Sequence, residues 1–189
     1  MEIRIALQYT PLSSDSSPGI EMNSGSLGHG LPVSVGMALA GKMDKKDYRV
    51  YTVMGDGEIA EGSVWEGAMA ASHYKLDNLC AVVDRNRLQI SGNTEDVMAH
   101  DDLHERWKSF GWHVIDVADG NDIDQLKAAF DAAKEVKGKP TVLIANTVKG
   151  KGSSVMENKA NWHHKVPNAE ELEQIKKDLK AGKEAALHG

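Results

Sequence analysis

A chain of 189 residues with 41% hydrophobic and 26% charged residues is long enough to bury its own core and too apolar for disorder. Its formal charge of −6 argues against a nucleic-acid-binding surface, which is ordinarily basic, and no apolar run approaches the roughly 18 residues needed to span a bilayer. One cysteine, Cys80 in the apolar run LCAVV, excludes an internal disulfide, fits a reducing, cytoplasmic compartment and reads as a small core side chain.

In chain order, residues 1–22 read as an irregular start because Ser, Pro and Asp cluster in PLSSDSSPG. The opening MEIRIALQYTPLSS is too short and too interrupted by charge for a signal peptide. Residues 23–189 read as one domain. SGSLGHG is a glycine-rich turn, and LPVSVGMALAGK is a helix with Pro32 in its first turn, where the missing N–H costs nothing. RVYTVM is strand-like, AEGSVWEGAMAASHY a helix of small residues, LCAVVD a buried strand, and RNRLQISGN a loop. DLHERWKSF predicts a short amphipathic helix and WHVIDV a strand. DIDQLKAAFDAAKEV places Ile123, Leu126, Ala129, Phe130 and Ala133 on one helical face. KGKP ends that helix and TVLIAN is a further apolar strand. A long polar loop, TVKGKGSSVMENKANWHHKVPN, leads to the charged helix AEELEQIKKDLKAG.

Apolar strands alternating with helices predict an α/β fold: a mostly parallel sheet with helices on both faces. Such sheets bind ligands beyond the carboxyl ends of their strands. Gly55–Gly57, Asp84–Asn86 and Asn146–Gly150 all fall at strand ends and point to one crevice.

The turn Gly55-Asp56-Gly57 admits three readings. The first is a plain tight turn. With Ala60 it also satisfies the dinucleotide pattern G-x-G-x-x-A, and Asp84 lies near the distance expected for a ribose contact. Electrostatics opposes that second reading, because a carboxylate between the glycines would repel a pyrophosphate sitting on backbone N–H groups. A divalent cation between carboxylate and diphosphate reverses the sign. Magnesium suits this role, taking oxygen ligands from one or two protein groups and from phosphates. Asp56 is then a metal ligand, and Gly57 lets the backbone approach the diphosphate. Asn86, thirty residues further on at the next strand end, offers a neutral oxygen donor; taken alone, it is equally a loop-forming residue.

Gly55-Asp56-Gly57 followed by Asn86 resembles the thiamine diphosphate motif. With MNSGSLGHGLPVSVGMALA, GDGEIAEGSVWEGAMAASHYKLDNL, VDRNRLQISGNTEDVM and NTVKGKG with VMENKANWHHK, the chain resembles transketolase, in particular the amino-terminal subunit of the form split across two polypeptides. The resemblance runs from about Pro18 to Pro167. It implies that residues 23–189 form a thiamine diphosphate-binding domain. Asp56, the side chain of Asn86 and the carbonyl of Leu88 would hold Mg2+ or Ca2+ on the diphosphate, with Gly55 in the motif and a backbone contact from Gly57. It also implies that Gly25-Ser26-Leu27 lies along the cofactor, Ile90 beside the thiazolium, and His163 near the diphosphate and reaction centre. Glu61 would join a carboxylate network between the two active sites of a dimer. Each has a plainer reading: Glu61 suits a helix amino terminus by charge alone, and His163, beside Trp162 and His164, suits a solvent-facing loop. His29 is given no role, and His73 reads as a packing residue.

The implied activity is transfer of a two-carbon ketol group from a ketose phosphate to an aldose phosphate, together with a carboxyl-terminal subunit, in a dimer of heterodimers. Neither nucleic acid nor membrane is an expected partner. Family members carry a longer segment ahead of the Gly-x-Leu turn, with histidines and a Gly-His-Pro motif. Here MEIRIALQYTPLSSDSS, without histidine, stands in that place. The expectation is either a truncated product or a start that differs from the family's, and an isolated chain that binds cofactor weakly and turns nothing over. The alternatives are a non-catalytic binding or assembly remnant and a related ketol transferase such as dihydroxyacetone synthase.

Overall fold

A computed structural model describes residues 2–7 and 20–188 of the chain. Six strands pair into one wholly parallel sheet: β1 (Glu2–Leu7), β2 (Ile20–Asn23), β3 (Tyr48–Gly55), β4 (Leu79–Arg85), β7 (His113–Val117) and β8 (Thr141–Asn146), in the lateral order β2-β1-β3-β4-β8-β7. A two-stranded antiparallel hairpin, β5 (Leu88–Gln89) with β6 (Gly92–Asn93), stands apart from the sheet. The helices are α1 (Gly30–Met43), α2 (Gly62–His73), the single turn α3 (Thr94–Val97), α4 (Leu103–Ser109), α5 (Ile123–Glu135) and α6 (Ala169–His188).

Successive side chains of a strand point to opposite faces, and the two faces have separate cores. On one side Val50 and Met54 of β3, Leu79, Ala81 and Val83 of β4, and Val142 and Ile144 of β8 pack against Leu31, Val35 and Ala38 of α1, Val64 and Ala68 of α2, and Trp107 of α4. On the other, Tyr51, Cys80, Val82, Leu143 and Ala145 meet Ala129 and Ala133 of α5, with Leu126 and Phe130 partly buried against them. Small residues let α1 and α2 approach closely: a Cβ on Gly67 would stand 3.3 Å from the backbone nitrogen of Pro32.

Four local expectations are corrected. The start read as irregular carries β1 and β2, and the alternation in EIRIAL is a strand signal that the neighbouring Ser/Pro cluster obscured. Residues 8–19 lie outside the described residues. RNRLQISGN is not all loop, since Leu88 pairs with Asn93 and Gln89 with Gly92. Ile123 does not share the buried face of α5: it is 74% exposed, in the first turn, and packing begins at Leu126. His73 is exposed at the end of α2, its ring edge-on to Tyr74 at 4.9 Å, because it falls on the side of the helix turned away from the buried Ala68 and Ala71.

Candidate functional site

A cavity of about 710 Å3 opens at the carboxyl ends of β3 and β4, the place where a parallel sheet offers its unpaired loop groups. Asp56, the first residue after β3, is 1% exposed. Its Oδ1 accepts from the Gly57 N–H at 2.9 Å and its Oδ2 from the Arg87 N–H at 2.6 Å. The second bond draws the loop after β4 onto the turn after β3. Asn86 and Leu88 therefore line the same cavity as Asp56. Asn86 stiffens its own loop, Oδ1 accepting from the Leu88 N–H at 3.0 Å.

Burial pushes the Asp56 carboxyl up to about 6, against the pull of its two N–H donors, and the nearby Asp84 adds to the rise. No lysine or arginine pairs with Asp56 among the described residues, although the charge of Arg85 is felt there. A buried carboxylate held only by backbone N–H groups is short of positive charge. An added cation would supply it, and a carboxylate, an amide oxygen and a backbone carbonyl are the hard oxygen donors that magnesium and calcium take. These residues fit such an ion. No cluster of three or more His, Cys, Asp or Glu side chains suited to a metal occurs among the described residues, so a metal here depends on amide and carbonyl oxygens.

Two buried groups that sequence reasoning missed hold the turn in place. Glu58 is 2% exposed, its Oε1 accepting from Gly28 N–H at 3.1 Å and its Oε2 from Gly55 N–H at 3.2 Å. It ties the glycine-rich turn before α1 to the end of β3, and burial raises its carboxyl to about 7. Gly28 has φ +81°, and a Cβ there would come within 2.6 Å of Glu61 Cβ and Ser63 Oγ, so glycine is required. His100 is 1% exposed, with Nε2 2.7 Å from the Asp56 carbonyl. A carbonyl only accepts, so Nε2 carries the proton. Burial holds this imidazole below its usual range. Neither residue has a sequence signal of its own: GDGE reads as an acidic first turn and MAHDD as a polar link.

The remaining predicted residues divide. Leu27, Gly55, Gly57, Glu61, Ile90 and His163 line the cavity; Gly25 and Ser26 do not and are exposed. Glu61 is an exposed residue in extended conformation directly before α2. Ile90 is 62% exposed and, with Val97 and Met98, gives the cavity an apolar, open wall. His163 arrives through the long loop after β8, which Trp162 anchors at 7% exposure. Burial first, then the charges of Lys149 and His164, hold His163 below the usual histidine range. Lys149, in the polar loop after β8, also lines the cavity. The dinucleotide reading fails locally. A single 3-10 turn, Glu58–Ala60, separates Gly57 from α2, and Asp84 accepts a hydrogen bond from the Thr147 hydroxyl.

The comparisons with known proteins converge. Residues 11–186 match the family of the transketolase thiamine diphosphate-binding domain. The chain is 52% identical over 162 residues to one subunit of the apulose-4-phosphate transketolase of Phocaeicola vulgatus, covering 86% of this chain and 57% of that protein. It is 44% identical over 146 residues to 6-deoxy-6-sulfo-D-fructose transketolase subunit SqwG of a Clostridium species, covering 77% of this chain and 53% of that protein. It thus spans little more than half the length of these relatives. Among solved structures, transketolase from Campylobacter jejuni superposes with a TM-score of 0.81 at 28% identity, covering 88% of this chain and 27% of that one.

Proposed function

Since this chain belongs to the transketolase thiamine diphosphate-binding domain family, we propose that it anchors the diphosphate of thiamine diphosphate through a divalent cation, magnesium or calcium. With a carboxyl-terminal partner protein it transfers a two-carbon ketol group from a ketose phosphate to an aldose phosphate. The observation that carries the reading is Asp56: a carboxyl 1% exposed, held by backbone N–H groups alone and joined through Arg87 N–H to the loop of Asn86 and Leu88.

In this reading Asp56, the Asn86 amide oxygen and the Leu88 carbonyl hold the ion, and Gly57 offers its backbone to the diphosphate at close range. Lys149 adds positive charge on the same side. When bound, the cofactor supplies the carbanion stabilisation that cleavage beside a ketone needs. The chain's part is to fix the diphosphate end, so that the ring end is held in one place against Leu27 and Ile90. His163, whose imidazole burial and the charges of Lys149 and His164 hold below the usual histidine range, is placed to accept or donate a hydrogen bond there. Glu61 stands at the cavity rim, where a second copy or a partner would meet it.

A separate partner is supported by the names of the relatives, each of which denotes one subunit of a transketolase rather than the whole enzyme. The open apolar wall of Ile90, Val97 and Met98 supports it too. The sugars in those names, apulose 4-phosphate and 6-deoxy-6-sulfofructose, make anionic ketoses the first substrates to try.

Calorimetry tests the reading. The chain is mixed with a carboxyl-terminal partner and titrated with thiamine diphosphate, with and without Mg2+. Uptake that needs the metal and vanishes in Asp56→Ala is expected. Metal-independent uptake, or uptake untouched by the substitution, overturns it. The isolated chain is expected to bind weakly and to give no ketol transfer.

A further inference from the structure

At the other end of the same strands, where β3 and β4 begin and α1 and α5 finish, a second cavity of about 320 Å3 is lined by Lys42, Lys46, Arg49, Lys134 and Lys137. Asp47 and Asp77 are its acidic lining residues. Five cations against two carboxylates invert the balance of a chain whose net charge is −6.

Part of this charge is explained internally. Lys42 pairs with Asp77 at 2.8 Å and donates to the Lys75 carbonyl. Lys134 pairs with Asp131 at 2.8 Å, and Lys137 donates to the Lys134 carbonyl. Lysines near helix carboxyl ends are also favoured by the dipole.

Arg49 is not covered by that account. It sits on β3 at 9% exposure and donates through Nη2 to the Ala133 carbonyl at 3.2 Å, near the end of α5. It forms no ion pair among the described residues, and its Nε is buried without a partner. A guanidinium cannot lose its proton to relieve burial, as a lysine can. A buried cation with one neutral acceptor is therefore a charge in need of an anion.

We propose that this cavity binds a small phosphate-bearing anion. It supplies the counter-charge to Arg49, and Lys46 and Lys137, both exposed, close on it from the rim. A guanidinium beside ammonium groups is the donor set that phosphate takes. The volume, at the low end of ligand pockets, suits phosphate or a phosphate ester of a few carbons. From Arg49 to Gly55 the strand rises about 20 Å, so this anion is not the diphosphate at Asp56, and the proposal holds whether or not that cofactor reading does.

The test is an amide NMR titration of the full chain with inorganic phosphate, against sodium chloride at matched ionic strength. Saturable shifts at Lys46, Arg49 and Lys137 are expected with phosphate and not with chloride, whatever happens at Gly57 and Arg87. Arg49→Met and the double variant Lys46→Gln/Lys137→Gln should each weaken this binding roughly tenfold or more. The lysine pair lies on the surface and leaves the fold intact, so it decides the matter if the arginine variant fails to fold. Shifts reproduced by chloride, shifts that never saturate, or undiminished binding in the double variant overturn the proposal.

Discussion

Asp56 and Glu58 are two residues apart, both buried, and differ in what surrounds them. Both line the cavity, but Asp56 accepts from the turn and from the loop after β4, whereas Glu58 spends both oxygens on the N–H groups of Gly28 and Gly55. A glutamine at 58 keeps the shape but turns one acceptor into a donor, so an NH2 would face one of those N–H groups. Glu58→Gln should therefore cost about 1–3 kcal/mol, read as a lower urea midpoint at unchanged slope. A wild-type midpoint would show that the clamp carries no weight. Cys80 gives a second check at this scale. Burial pushes its thiol up to about 12, so at pH 8 almost none is thiolate. It should stay silent to a disulfide reagent in the native chain and react at once in urea; fast native labelling would contradict its place in the core. The sequence revealed Asp56 and Asn86 because a polar residue at the end of an apolar strand is visible as punctuation. It did not reveal Glu58 and His100, whose importance lies in burial and in partners that one sequence does not display.

At the scale of elements, the helices and the buried strands were legible because each has a period and a stop signal: Pro32 opening α1, the glycine-containing KGKP closing α5, unbroken apolar runs for β4 and β8. What was not legible had a weak or competing signal. β1 is six residues beside a Ser/Pro cluster, β5 and β6 are two residues each, and Ile123 fits the helical face but falls in the turn before packing starts. Ile123→Lys should therefore change stability by less than about 0.5 kcal/mol, whereas Phe130→Ala, which removes the edge-on contact to Tyr51 at 5.7 Å, should cost about 2–3 kcal/mol. Two glycines near α1 make an opposed pair. Gly36 lies inside the helix with nothing within 4 Å of a new Cβ, so Gly36→Ala should stabilise the chain by roughly 0.5–1 kcal/mol. Gly28→Ala meets a positive φ and contacts at 2.6 Å, and should destabilise by at least about 1 kcal/mol. It should also weaken cofactor uptake, since the turn carrying Leu27 would have to move. Thermal melts of the two variants should move in opposite directions; a shared direction would mean the turn is not held as described.

For the whole molecule, the parallel sheet sets one end of three strands to the cavity: Asp56 after β3, Asn86 after β4 and Lys149 after β8. A cation and a diphosphate seated there would join these loops only in the folded chain, so binding must appear as stability. Ligand at a hundred times its dissociation constant adds about 2.7 kcal/mol by mass action. The form of the gain distinguishes a metal bridge from simple anion binding. Diphosphate alone meets the Asp56 carboxylate as a like charge, and Mg2+ alone gains few ligands, so each should raise the urea midpoint slightly. Both together should raise it by more than the sum of the two, because each supplies what the other lacks. A chelator should return the midpoint to its starting value, and Asp56→Ala should lose the excess while retaining its basal fold. A cofactor that stabilises the chain equally with and without metal would place the diphosphate on Lys149 and the backbone N–H groups instead, and would leave the buried charge of Asp56 without a ligand to explain it.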